Sequence, residues 1–101
     1  MKPLLVFFST RRSGPARRME SLLAHLARKE RGRLRVARVD VDEEPDTAER
    51  FKVQDVPALV VVKEGRVVGR FDGPAKAADI EGLVEPHLHG DDGESSQRPN
   101  N

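Results

Sequence analysis

The chain has 101 residues, 35 % of them Asp, Glu, Lys or Arg, with a formal net charge of +1. That length is one small domain with a modest core, and the near balance of charge argues against a generic polyanion binder. There is no cysteine, which excludes disulfides, thiol catalysis and thiolate metal sites.

Leu4 to Phe8 is a continuous apolar run with Val6, Phe7 and Phe8, the pattern of a strand buried on both faces. Ser13-Gly14-Pro15 is a helix-start signal: serine caps free N–H groups, and proline in the first turn loses nothing by lacking its own. From Pro15 to Glu30 the apolar residues Ala16, Met19, Leu22, Leu23, Leu26 and Ala27 recur at three-four spacing, opposite Arg17, Arg18, Ser21, His25, Arg28 and Lys29. Gly32 ends that helix. Leu34 to Val41 reads as a second strand whose Arg35, Arg38 and Asp40 suit a sheet edge.

Glu44-Pro45-Asp46 opens a short helix carrying Ala48 and Phe51. Ala58 to Val62 is a third strand, apolar on both faces; Lys63-Glu64-Gly65-Arg66 is a hairpin turn, and Val67 to Phe71 returns antiparallel. The last helix spans Lys76 to about Leu88, with Ile80, Leu83, Val84 and Leu88 inward and Pro86 expected to distort its final turn. The composition divides the chain into a domain over 1–88 and a disordered polar tail over 89–101. No run reaches transmembrane length and Leu4–Phe8 is too short for a signal-peptide core, so the default location is the cytoplasm, with no membrane role.

Charge is uneven along the chain. Residues 11–38 are rich in Lys and Arg, from Arg11, Arg12, Arg17 and Arg18 to Arg35 and Arg38, against only Glu20 and Glu30; residues 40–50 carry Asp40, Asp42, Glu43, Glu44, Asp46 and Glu49 against Arg50. The expected surface is a dipole, basic around the first helix and acidic beyond the second strand.

Ser13-Gly14-Pro15-Ala16 resembles the Cys-Gly-Pro-Cys motif of the thioredoxin family with both cysteines replaced. The similarity continues in register through Val39-Asp40-Val41-Asp42, Pro45, Val56-Pro57, Gly65 and Gly73, over roughly residues 4 to 88. It implies an α/β, thioredoxin-like core: a four-stranded mixed sheet with three helices in the order βαβαββα, lacking the family's N-terminal strand and helix and leaving the 34–41 strand an uncovered edge. In the family the first cysteine is the nucleophile and the second resolves the mixed disulfide. Those positions are Ser13 and Ala16, so no catalytic residue is expected and Ser13, Gly14, Pro15 and Ala16 form a vestigial motif. The family's buried acid and the tryptophan before the motif fall on Phe7 and Arg12. Val56-Pro57 matches the family's cis-proline loop, whose backbone pairs with extended peptides; Arg12, Val56, Pro57 and Gly73 are the peptide-binding candidates.

Ser13 has no base within reach, since His25 lies about 18 Å along the helix at about 1.5 Å per residue and His87 and His89 sit at the far end of the chain. No spacing of the three histidines suggests a metal, and no cofactor is expected. Arg11, Arg12, Arg17 and Arg18 around a helix start are either a solvated basic face or an anion site. The expected function is redox-inactive binding of a protein or peptide, with weak homo-association through edge strand 34–41. The alternatives are a disulfide oxidoreductase whose cysteines were replaced, and an anion-binding regulatory module. Nucleic acid is disfavoured, because the chain has Phe but no Tyr or Trp to offer as a stacking platform.

Overall fold

A computed structural model describes residues 2–11 and 14–88. Its elements are β1 (Leu4–Ser9), α1 (Gly14–Lys29), β2 (Arg35–Asp40), α2 (Pro45–Arg50), β3 (Ala58–Lys63), β4 (Arg66–Asp72) and α3 (Ala77–Leu88). The order is the βαβαββα read from the sequence, with ends displaced by a residue or so. Leu34 falls outside β2 because its N–H donates to the Glu30 carbonyl, 3.1 Å away, in the turn that closes α1. The expected tail over 89–101 and the expected Ser13 cap lie outside the described residues, as does Arg12.

The sheet has the order β2-β1-β3-β4. β1 and β2 are parallel, as a crossover through α1 requires; β1 and β3 are antiparallel, and so are β3 and β4. The central strands are covered on both faces, which is why they read as unbroken apolar runs. Leu5, Phe7, Leu59 and Val61 face α1 and α3, packing with Met19, Leu23, Leu26, Ile80 and Val84. Val6, Phe8, Ala58 and Val60 face the other way with Val39 and Ala48. Phe51, at the end of α2, tilts against Phe8 with ring centroids 5.6 Å apart.

The β3–β4 hairpin turns on Glu64 (φ 54°) and Gly65 (φ 79°), two left-handed residues in succession, whose twist matches that of the flanking strands. The register jumps from Val62↔Val67 to Val61↔Gly69, so Val68 is an extra residue that bulges β4. α3 is capped by Asp79, whose carboxylate accepts the Lys76 N–H at 3.0 Å. Contrary to the expected distortion, the helix continues through Pro86 to Leu88. The proline stands in the last turn, where it removes a single intrahelical bond, and Lys63 Nζ donates to the His87 carbonyl at 3.2 Å.

Candidate functional site

Topology brings three chain segments to one end of the sheet. β1 ends at the buried Ser9 and runs through Thr10 and Arg11 toward α1. β3 starts there too: Phe8 pairs with Ala58, so the preceding residues Val56 and Pro57 lie beside 9 and 10. β4 ends there, with Asp72 opposite Ala58. Beyond it the Gly73 N–H donates to the Pro57 carbonyl at 2.8 Å. Gly73 has φ +100°, a conformation that disfavours a side chain, and a Cβ built on it would meet no atom within 4 Å, so its backbone is open to an approaching group. The Val56–Pro57 bond is cis; Pro57 is buried and Val56 half-buried over the α2 face of the sheet. Val56, Pro57 and Gly73 thus meet beside the Thr10–Arg11 turn.

The site lacks more than thiols. Ala16 is 3 % exposed and belongs to the same core cluster as Phe7, which is 1 % exposed. The two positions where the family carries its resolving cysteine and its buried acid are therefore packed together as apolar core. A carboxylate there would cost several kcal/mol without a partner, whereas a phenyl ring contributes roughly 1.5–3 kcal/mol by burial.

Electrostatics around the turn differ from the basic cluster expected from the sequence. Arg11 is exposed (82 % of its side chain) and donates to Glu43 Oε2 at 2.9 Å, with Asp40 Oδ2 3.9 Å from its Nε. Asp40 builds that arrangement, since its Oδ1 accepts the N–H groups of Asp42 and Glu43 at 2.8 and 3.3 Å and folds the acidic segment back beneath Arg11. Arg38 on β2 pairs with Glu20 on α1. A hollow of about 150 Å³ lies among Ser9, Thr10, Arg11, Glu20, Arg38, Asp40 and Glu43, so both signs of charge line it. Arg17 and Arg18 are exposed on α1. The structure joins Arg11 to acids of the 40–44 segment rather than leaving it as one member of an all-positive cluster. Sequence reasoning missed these pairs, and missed Arg70, which donates to the carbonyls of Phe51 and Lys52 at 3.1 and 3.2 Å and ties β4 to the end of α2. Their partners are 18 to 32 residues apart, and no local pattern announces such pairs.

Among the described residues no group of three His, Asp or Glu side chains converges as metal ligands do, and no helix is long and apolar enough to cross a membrane. His25 is exposed on α1 and His87 half-buried near the end of α3, on different elements.

A mixed sheet whose central strands deliver a turn, a helix start and an X-Pro loop to the same end defines a thioredoxin-type α/β domain. The thioredoxin family model matches residues 1–85. The chain is 33 % identical over 84 residues to the thioredoxin of Staphylococcus saprophyticus, covering 83 % of this chain and 81 % of that one. It is 37 % identical over 91 residues to the thioredoxin of Mycobacterium bovis, covering 87 % and 78 %. Among solved structures, the germline-specific thioredoxin Deadhead of Drosophila melanogaster superposes with a TM-score of 0.80 at 28 % identity, covering 85 % of this chain and 81 % of that one. A mutant thioredoxin from Halobacterium salinarum NRC-1 gives 0.79 at 29 %, covering 86 % and 75 %. The chain belongs to the thioredoxin family, and having no cysteine it carries no Cys-x-x-Cys redox activity.

Proposed function

We propose that this chain is a non-catalytic binding domain that takes an extended segment of a partner protein across the surface formed by the Thr10–Arg11 turn, Val56–Pro57 and Gly73. The observation that carries the reading is the division within the site. The groups that would perform thiol chemistry are gone, with Ala16 and Phe7 absorbed into the core. The backbone at the same end of the sheet is assembled, with Gly73 bonded to the Pro57 carbonyl and open on its outer side. Peptide pairing in this family uses backbone groups, which do not depend on cysteine. Exchange of the family's tryptophan for Arg12 favours acidic segments over apolar ones.

One or two backbone hydrogen bonds contribute about 0.5–1.5 kcal/mol each, so with modest side-chain contact the affinity falls in the range of about 0.1–1 mM. The test is selection of peptides from a random library on the immobilised domain, followed by titration of a selected peptide against the isotope-labelled chain. Acidic, extended sequences are expected, with amide shifts focused on residues 9–11, 56 and 73. Arg12→Glu should weaken acidic peptides roughly fivefold, the size of an exposed charge pair turned repulsive. Peptides that shift only residues remote from this end of the sheet would overturn the proposal.

A further inference from the structure

β2 is an edge strand with an available ladder. The Arg35 N–H donates to the Pro3 carbonyl and the Val41 N–H to the Ser9 carbonyl, each at 3.0 Å, in a parallel register that pairs Leu4 with Arg35 and Ser9 with Asp40. Odd-numbered residues of β2 therefore turn their backbone groups to β1, and Val36, Arg38 and Asp40 turn theirs outward. The Asp40 carbonyl is already taken by the N–H groups of Glu43 and Glu44, at 3.1 and 2.8 Å. This leaves the N–H and C=O groups of Val36 and Arg38 facing the side of the sheet on which no described strand lies. Next to them a mostly apolar groove of about 330 Å³ runs between β2 and α1, lined by Phe7, Leu23, Ala24, Ala27, Val36 and Ala37 together with the paired Glu20 and Arg38. The opposite edge, β4, is interrupted by the Val68 bulge, a common device against edge pairing; β2 has no such interruption.

We propose that two copies of this chain associate through β2, antiparallel, about a two-fold axis beside Ala37. Charge selects both the occupant and its direction. The strand is entered from Arg31, Arg33 and Arg35, of which Arg33 is paired with Glu30, and left through Asp40, Asp42 and Glu44. An antiparallel second copy sets the basic entry of each strand beside the acidic exit of the other, at both ends of the pair, whereas a parallel copy would set like charges together. The register follows from the available backbone groups. Centring on Ala37 places Val36 opposite Arg38 of the second copy and uses the outward N–H and C=O groups of both residues. It also puts the small Ala37 side chains at the closely spaced, non-hydrogen-bonded pair on the axis. Centring on Arg38 would oppose two arginines and call on the Asp40 carbonyl, which is engaged.

The test is sedimentation equilibrium of the full chain from about 10 µM to about 1 mM, the range of a weak complex. Two charge variants accompany it, Arg31→Glu with Arg35→Glu, and Asp42→Lys with Glu44→Lys. All four side chains are exposed. The unsubstituted chain should reach dimer at the upper end. Each variant alone should associate at least tenfold more weakly, as both ends of its pair become repulsive, while their equimolar mixture should recover dimer because opposite charges meet again. Amide exchange on the unsubstituted chain gives a readout that needs no variant: Val36 and Arg38 should gain protection as concentration rises. A monomer throughout, a mixture no more associated than its components, or a dimer that leaves Val36 and Arg38 exchanging as in dilute solution would overturn the proposal.

Discussion

Phe7 and Ala16 stand where the thioredoxin family places its buried acid and its resolving cysteine, and in this chain both are core residues. Both lie in the cluster between the sheet and α1–α3, together with Met19 and Ile80. Truncation of Phe7 to alanine should cost about 3–5 kcal/mol, the range for a fully buried aromatic side chain, measured as a fall in the urea midpoint. Phe7→Asp should be worse still, because it adds an unpaired carboxylate to the cavity. The loss of chemistry is testable at the same positions. The unsubstituted chain should turn over a disulfide substrate no faster than buffer. Ser13→Cys with Ala16→Cys should restore measurable turnover, but roughly 10²–10⁴-fold below a thioredoxin that keeps the buried acid, the usual contribution of a positioned proton-transfer group. Equal rates in the two proteins would mean that Phe7 is no impediment. Arg12, at the position the family gives to tryptophan, is proposed to act in selectivity, and its replacement is expected to leave the unfolding free energy within about 0.5 kcal/mol of the original.

Secondary elements were legible where the sequence carries a local period, and less so where the fold departs from one. The run Leu4–Phe8 and the three-four spacing of Met19, Leu22, Leu23 and Leu26 are local patterns, and both elements stand within a residue or so of their expected ends. The charges of β2 placed it correctly at an edge. The Val68 bulge was not legible, because Val67-Val68 looks like any apolar stretch and only pairing with β3 reveals the extra residue. Nor was the folding of residues 40–44 back onto Arg11, which depends on Asp40 accepting two N–H groups. The hairpin turn was legible from Gly65 but not from Glu64, a non-glycine residue at φ 54°. Glu64→Gly should therefore be stabilising or neutral, by up to about 1 kcal/mol, while Gly65→Ala should cost about 1 kcal/mol or more, since alanine gives up the left-handed freedom that the turn uses. Thermal denaturation of the two single variants distinguishes them by sign.

Across the whole molecule the basic first half and the acidic 40–50 segment were expected to form separate poles. The fold brings them together where Arg11 meets Glu43 and Asp40, while Arg38 meets Glu20 within the basic half. These pairs are exposed and each contributes only about 0–1 kcal/mol, so their effect lies less in stability than in lowering the net positive field at the former active-site turn. Arg11 is shared with these carboxylates, and under the proposed function the preference for acidic partners rests on Arg12. What persists at that end of the sheet is backbone geometry on a packed scaffold. The most direct measurement is a titration of a library-selected acidic peptide into the labelled domain, following all backbone amides. Shifts that saturate together at Thr10, Arg11, Val56 and Gly73, and that weaken with Arg12→Glu, are the predicted result. Saturating shifts confined to other faces of the domain, with those four residues unmoved, would contradict a binding role for the thiol-free site.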